Sequence, residues 1–202
     1  MKTVILVRHS EPIKDRVEPT EALPLSEQGH KKAQALFALD VFRPVKAVYS
    51  SPYRRAYSTA EKRNMPVTVD ARLRERELGN PETLNGAFWN RQYEDYDYKN
   101  VGGESLNDAR KRMTAVVSEI RSAMQDGDTV AVVSHAAAIC ALLLNWCTVE
   151  VVDAQKKLRK IICNGTAVLN DKIAAPSAFI LKFEDEQLCG IQYVDVENET
   201  PL

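Results

Sequence analysis

The chain has 202 residues, enough to bury a core without disulfides or metal staples and few enough for a single domain over 1–202. Lysine and arginine number 27 against 28 aspartate and glutamate, and this balance excludes a global attraction to nucleic acid or to a membrane surface. The first apolar run is too short for a signal-peptide core and no stretch approaches transmembrane length, so the expectation is a cytoplasmic protein with no membrane partner.

Val4-Ile5-Leu6-Val7 is an uninterrupted apolar run, which reads as a strand (3–8) buried on both faces of an α/β sheet. It stops at Arg8 and His9, so two ionisable side chains sit where a central strand leaves the sheet, the edge at which open α/β folds bind ligands. The polar segment from Ser10 to Pro24 holds Pro12, Pro19 and Pro24 and cannot be one helix. It is expected to loop over the strand end. Ser26 is a plausible N-cap for a helix over 26–40. A short strand follows from Val45 to Tyr49. Ser51-Pro52 then reads as an N-cap and first helical position for a helix over 53–63. Val67 to Val69 is another short strand, and Arg72 to Gly79 is a charged loop.

Residues 80–102 crowd Phe88, Trp89, Tyr93, Tyr96 and Tyr98 into one stretch without clear periodicity, and are expected to form a cap. Most of these rings should pack the cap onto the body, leaving one or two to line a pocket. An amphipathic helix over 104–125 leads to the second unbroken apolar strand, 129–133, which ends at Ser134 and His135. Helices are expected over 136–146 and 150–162, and an antiparallel hairpin from 178–183 and 190–194. Cys140 and Cys147 are expected on one helix face, packed as small hydrophobes.

The chain has three histidines, and two of them follow central-strand runs at the same offset. If the two strands are parallel neighbours, His9 and His135 meet. A neutral imidazole attacks through the nitrogen that carries the lone pair, and an adjacent arginine penalises the imidazolium. The same guanidinium can hold two phosphoryl oxygens in a fork. Arg-His therefore suits the transfer of a doubly charged anion. Arg54 and Arg55 are neighbours on a helix, so only one can face a pocket squarely. Glu75 and Glu77 compete in the same way on an extended loop. Arg72, Arg74 and Arg76 are expected to be a solvated charge run.

The ordered motifs are specific as a set. Leu6-Val7-Arg8-His9-Ser10-Glu11, Leu25-Ser26-Glu27-Gln28-Gly29, Ser50-Ser51-Pro52 through Ala60, Leu73-Arg74-Glu75 through Gly79, Gly102-Gly103-Glu104-Ser105 and Val132-Val133-Ser134-His135 resemble, in order, the motifs of the histidine phosphatase superfamily, the phosphoglycerate mutase-like proteins. The resemblance implies a three-layer α/β/α sandwich with a mostly parallel sheet. It implies His9 as nucleophile through a phosphohistidine and Arg8 and Arg55 as clamps on the phosphoryl oxygens. His135 is implied as the second histidine, Glu75 as the acid that protonates the leaving oxygen, and Ala136 as a phosphate-binding position. No cofactor and no metal are implied, and the partner is a small-molecule phosphate ester. Oligomeric state is left open. The function so implied is a phosphomonoesterase acting on a small metabolite. A phosphoglycerate-type mutase and a phosphate- or phosphoprotein-binding module on the same scaffold are the alternatives. The chain departs from the family pattern at Ser10, Asp15, Ser58, Ala136 and Ala137. An Asp15 facing the pocket would repel a second phosphate.

Overall fold

The computed structural model describes residues 1–13, 19–153 and 156–197. Asp15 lies outside the described residues. In chain order the main elements are β1 (Lys2–Arg8), α1 (Glu27–Ala38), β2 (Val45–Ser50), α2 (Arg54–Ala60), β3 (Val67–Val69), α3 (Gly86–Glu94), α4 (Leu106–Ala123), β4 (Thr129–Ser134), α5 (Ala136–Leu143), β5 (Cys147–Asp153), β6 (Leu158–Cys163), β7 (Thr166–Asp171), β8 (Ser177–Glu184) and β9 (Gln187–Asp195).

The two apolar runs behave as their composition dictates. β1 and β4 are parallel neighbours at the centre of a six-stranded sheet ordered β3-β2-β4-β1-β8-β9, in a register that sets Arg8 opposite Ser134. The two residues that follow, His9 and His135, therefore leave the sheet side by side. β8 and β9 close the sheet as the antiparallel hairpin expected from the sequence.

Alternate residues of the central strands serve opposite faces. Ile5, Val7, Ala131 and Val133 pack with Leu36 and Phe37 of α1 and with Ala56 and Ala60 of α2. Val4, Leu6, Val130 and Val132 pack with Met113, Val116 and Ile120 of α4 and with Ile139 and Leu142 of α5. This is the three-layer sandwich that the motifs imply. Each such aliphatic side chain contributes about 1.5–3 kcal/mol of burial, which holds both strand ends rigidly.

Three expectations are corrected. Residues 150–162 are not a helix: β5 and β6, with β7, form a separate antiparallel sheet ordered β5-β6-β7. The run holds Val151, Val152, Ile161 and Ile162, whose β-branched side chains suit a pleated surface, and only one face of this sheet is buried. Cys147 opens β5 and pairs across strands with Cys163, so it shares no helix face with Cys140. The helix expected from residue 53 starts at Arg54, because Tyr53 stays extended while its N–H donates to Ser51 Oγ at 3.2 Å.

Candidate active site

The sheet edge carrying His9 and His135 is built from the bottom up. Ser10 is buried behind His9, with its N–H donating to Thr59 Oγ1 (2.9 Å) and its hydroxyl donating to the Gly29 carbonyl (2.7 Å). Ser10 thus ties the strand end to α1 through its side chain and to α2 through its backbone N–H. Gly29 is required where it stands, because a Cβ there would meet the Glu11 carbonyl oxygen at 2.1 Å. Arg55 reaches the site from α2 and is 6 % exposed, whereas its neighbour Arg54 faces solvent.

The ring nitrogens are assigned by their partners. His9 Nδ1 lies 2.6 Å from the Ser10 carbonyl, which accepts only from an N–H. Nε2 is left with the lone pair and accepts from Arg55 Nε–H at 3.1 Å. His135 Nδ1 accepts from Arg55 Nη2 at 3.2 Å, and its Nε2–H faces Ser51 Oγ at 2.8 Å. Arg55 Nη1 donates to the Thr20 carbonyl. One guanidinium therefore bridges both imidazoles, whose ring centroids are 5.0 Å apart and edge-on. Burial, then the cations of Arg55 and Arg8, push His9 down to about 3, against the pull of its bond to Ser10. His135 is held well below its ordinary value by burial first and then by His9, Arg55, Arg112 and Arg8. Both rings are neutral at ordinary pH.

Glu75 approaches from the loop before the cap segment. Its Oε1 accepts from the N–H groups of Arg76 (2.8 Å) and Ala138 (3.0 Å), and its Oε2 accepts from Ala137 N–H at 3.4 Å. The carboxylate thus sits on the first turn of α5, where unpaired backbone N–H groups favour negative charge. Ala136, the helix's first residue, lies directly after His135. Arg8 donates from Nη1 to the Ile173 carbonyl, and its charge acts on His9, His135 and Glu75. Glu77 is exposed and paired with Arg74.

Sequence reasoning missed three features here. Arg76 is not solvated: it is 3 % exposed and donates to the Glu104 carbonyl (2.8 Å) and to Gln92 Oε1, with its guanidinium over the Phe88 ring. Arg72 and Arg74 are engaged too, Arg72 with Asp70 and Glu119, Arg74 with Glu77 and Glu104. Arg112 of α4 clasps Glu104 and donates to the carbonyls of Arg72, Arg74 and Glu75, and so supports the Glu75 loop from below. No local pattern marks Arg112, because its partners are brought to it only by folding.

The site opens into a cleft of about 560 Å³ lined by Thr20, Glu21, Tyr53, Arg55, Glu75 and Arg76, and by Val101 and Gly102 at its rim. The aromatic in its wall is Tyr53, not one of the rings of residues 80–102. Phe88 is buried and packs on Trp89 and Tyr98, and Tyr93 joins the core under α5.

Comparison with known proteins gives this arrangement its relatives. The phosphoserine phosphatase 1 of Hydrogenobacter thermophilus is 33% identical over 167 residues, which span 71% of this chain and 77% of that one. Among solved structures, a mycobacterial glucosyl-3-phosphoglycerate phosphatase superposes with a TM-score of 0.66 at 25% identity, covering 96% of this chain and 97% of that one. A phosphoserine phosphatase variant from Entamoeba histolytica, in complex with phosphoserine, shares the fold at a TM-score of 0.65 and 19% identity, over 95% of this chain and 97% of that one. The family model for branch 1 of the histidine phosphatases matches residues 4–164, which run from the first apolar strand through both histidines to the end of β6. By that match and by the relative in Hydrogenobacter, the chain belongs to the histidine phosphatase superfamily, branch 1.

Proposed function

We propose that the protein hydrolyses phosphate monoesters of small metabolites in two steps through a phosphohistidine on His9. The observation that carries this reading is the Arg55 bridge. It aims a donor at His9 Nε2 and another at His135 Nδ1, so both rings face one point that already holds positive charge. A phosphoryl group entering there displaces Arg55 from the His9 lone pair and takes the guanidinium N–H groups onto its own oxygens. The negative charge of the entering phosphoryl group makes Glu75 take up a proton; Nε2 then attacks phosphorus in line, the P–O ester bond breaks, and the leaving oxygen takes that proton from Glu75. Water then attacks the phosphohistidine, gives a proton to Glu75, and inorganic phosphate leaves with His9 restored.

His135 reaches its role through Ser51. The Ser51 hydroxyl can rotate to donate to Nε2, which favours the tautomer with its proton on Nδ1, reached by proton exchange with solvent, and lets a neutral His135 donate to the phosphoryl group. Arg8, Arg55 and the N–H of Ala136 complete the shell of donors. The arginines supply the charge that a metal brings to phosphoryl transfer elsewhere, so a chelator is expected to leave the rate unchanged. Residues 80–102 act as the cap in this reading, because Arg76 ties Gln92 and Phe88 of α3 to the loop that carries Glu75. The buried free thiols of Cys140, Cys147 and Cys163 fit the reducing cytoplasm.

The test is an alkaline quench during turnover of an aryl phosphate, followed by peptide mapping. Phosphate on His9 is expected, and His9→Ala should lose at least ~10⁴-fold in kcat/KM. Activity of the variant within a few-fold of the parent would sink the reading. Release of inorganic phosphate, rather than its reappearance at another position of the substrate, separates hydrolysis from mutase chemistry.

A further inference from the structure

Residues 75–80 form neither helix nor strand, so their backbone groups must find partners outside any ladder. They find them at the start of α4. Arg112 Nη1 donates to the carbonyls of Arg72 (2.7 Å) and Arg74 (2.9 Å), and its Nη2 donates to the carbonyl of Glu75 at 3.2 Å. Glu104 takes the same guanidinium in a fork, Oε1 accepting from Nε at 2.7 Å and Oε2 from Nη2 at 2.8 Å. Glu104 also pairs with the segment directly. Its N–H donates to the Glu77 carbonyl (2.8 Å), its Oε2 accepts from the Glu77 N–H (3.1 Å), and its carbonyl accepts from Arg76 Nε (2.8 Å).

Both members of this pair are fixed from behind. Ser105 and Asp108 form a capping box directly after Glu104, and Met113, next to Arg112, is buried against the central sheet. The Arg112 and Glu104 side chains are 11% and 13% exposed, and a charge-assisted fork so shielded resists loosening. Arg74 pairs with both Glu77 and Glu104, so two arginines face two glutamates and the cradle brings little net charge to the site. What it brings is placement. The Glu75 carboxylate rests on the N–H groups of Arg76 and Ala138, while its backbone hangs from Arg112. Arg112 itself does not line the cleft, so it can act on the reaction only through the segment it holds.

We propose that Arg112, gripped by Glu104, is the positioning residue that sets Glu75 for proton donation, and that this pair decides how poor a leaving group the enzyme can expel. The assignment rests on the phosphatase reading above and goes beyond it by giving the acid a dedicated support.

The test measures kcat/KM along a series of aryl and alkyl phosphates, from para-nitrophenyl phosphate to glycerol 3-phosphate, against the pKa of the leaving alcohol. A misplaced acid harms only the alcohols that need its proton. Arg112→Met is expected to lose ~10²-fold on glycerol 3-phosphate and less than ~5-fold on para-nitrophenyl phosphate, which steepens the dependence. Arg112→Lys, which keeps the charge but not the fork, should recover part of the loss. In Glu75→Gln protein the dependence is already steep, and Arg112→Met should add little to it, as residues acting as a unit do. Amide hydrogen exchange at residues 74–78 should rise in Arg112→Met while β1 and β4 stay protected. An equal loss along the series, no loss at all, a steepening that persists undiminished in the Glu75→Gln background, or unchanged exchange at 74–78 overturns the assignment. A wild type inactive on para-nitrophenyl phosphate tells instead against the phosphatase reading, and the exchange arm still decides whether Arg112 holds the Glu75 segment.

Discussion

The two sheets of this protein are built on different terms. β1 and β4 are buried on both faces over nearly their whole length, parallel, and flanked by helices. β5, β6 and β7 alternate between buried and exposed positions, pair only with sequence neighbours, and pack one face against the body. The first sheet ends in His9 and His135, groups that must hold a fixed geometry against each other and Arg55. The second brings Arg159, a long side chain on a half-exposed strand. Rigid, doubly covered strands carry the two histidines that Arg55 bridges, and the locally paired sheet carries a side chain that reaches α3 through Tyr93.

A cavity pair breaks or sharpens this contrast most. Leu6 is fully buried between the central sheet and α4, whereas Leu169 of β7 is 8 % exposed. Leu6→Ala should lose stability near the upper end of ~2–5 kcal/mol and Leu169→Ala near the lower end, read from urea unfolding with unchanged m-value. Equal losses would mean that the second sheet is as much a part of the core as the first.

Acid sensitivity should map to the first sheet. His9 and His135 are held below the ordinary value of 6.5, His9 to about 3, so the unfolded chain binds protons that the folded chain does not. Their stabilisation is complete above pH 6.5 and is lost as pH falls toward the folded values, at up to about 1.4 kcal/mol per pH unit for His9, with His135 adding in the same direction. Unfolding free energy measured from pH 6.5 down to about 4.5, above the range in which ion-paired Glu104 protonates, should show this slope. Asn at both histidines should flatten it, and a slope that persists in that double variant would place the acid-sensitive groups elsewhere.

The smallest expected effect lies in the β6–β7 turn. Asn164 and Gly165 both have positive φ, 49° and 78°, in a two-residue connection whose flanking pair is Cys163 with Thr166. That backbone suits the twist of a tight hairpin and resists a Cβ at Gly165. Gly165→Ala should cost about 1 kcal/mol in thermal or urea unfolding while para-nitrophenyl phosphate turnover stays unchanged. A neutral or stabilising result would show that the turn tolerates another conformation.

That turn also marks where reading the sequence stopped short. Asn164-Gly165 between alternating apolar residues is a strong local hairpin signal, and it stands just after the stretch read as a helix over 150–162. The run of lysines and arginines hides the period-2 pattern of Cys147, Val149, Ile161 and Cys163, because the solvent face of a half-buried strand can carry long charged side chains as readily as a helix can.

By itself the sequence determined the parallel centre of the fold and the pairing of its two histidines. Short unbroken apolar runs rich in β-branched residues read as doubly covered strands, and identical offsets from those strands put His9 and His135 at one edge once the strands are parallel neighbours. Helix geometry allowed only one of Arg54 and Arg55 to face the site, and the resemblance to the family motif pointed to Arg55. What only the tertiary structure decided is which charges are spent. Arg76 looks like its neighbours Arg72 and Arg74 in the sequence, yet folding buries it against Gln92 and Phe88. Arg112 and Arg159 have no local mark, and their partners lie tens of residues away along the chain. An arginine's role depends on the carboxylates, carbonyls and rings within a few ångströms of its guanidinium, and those neighbours are set by packing and not by spacing along the chain.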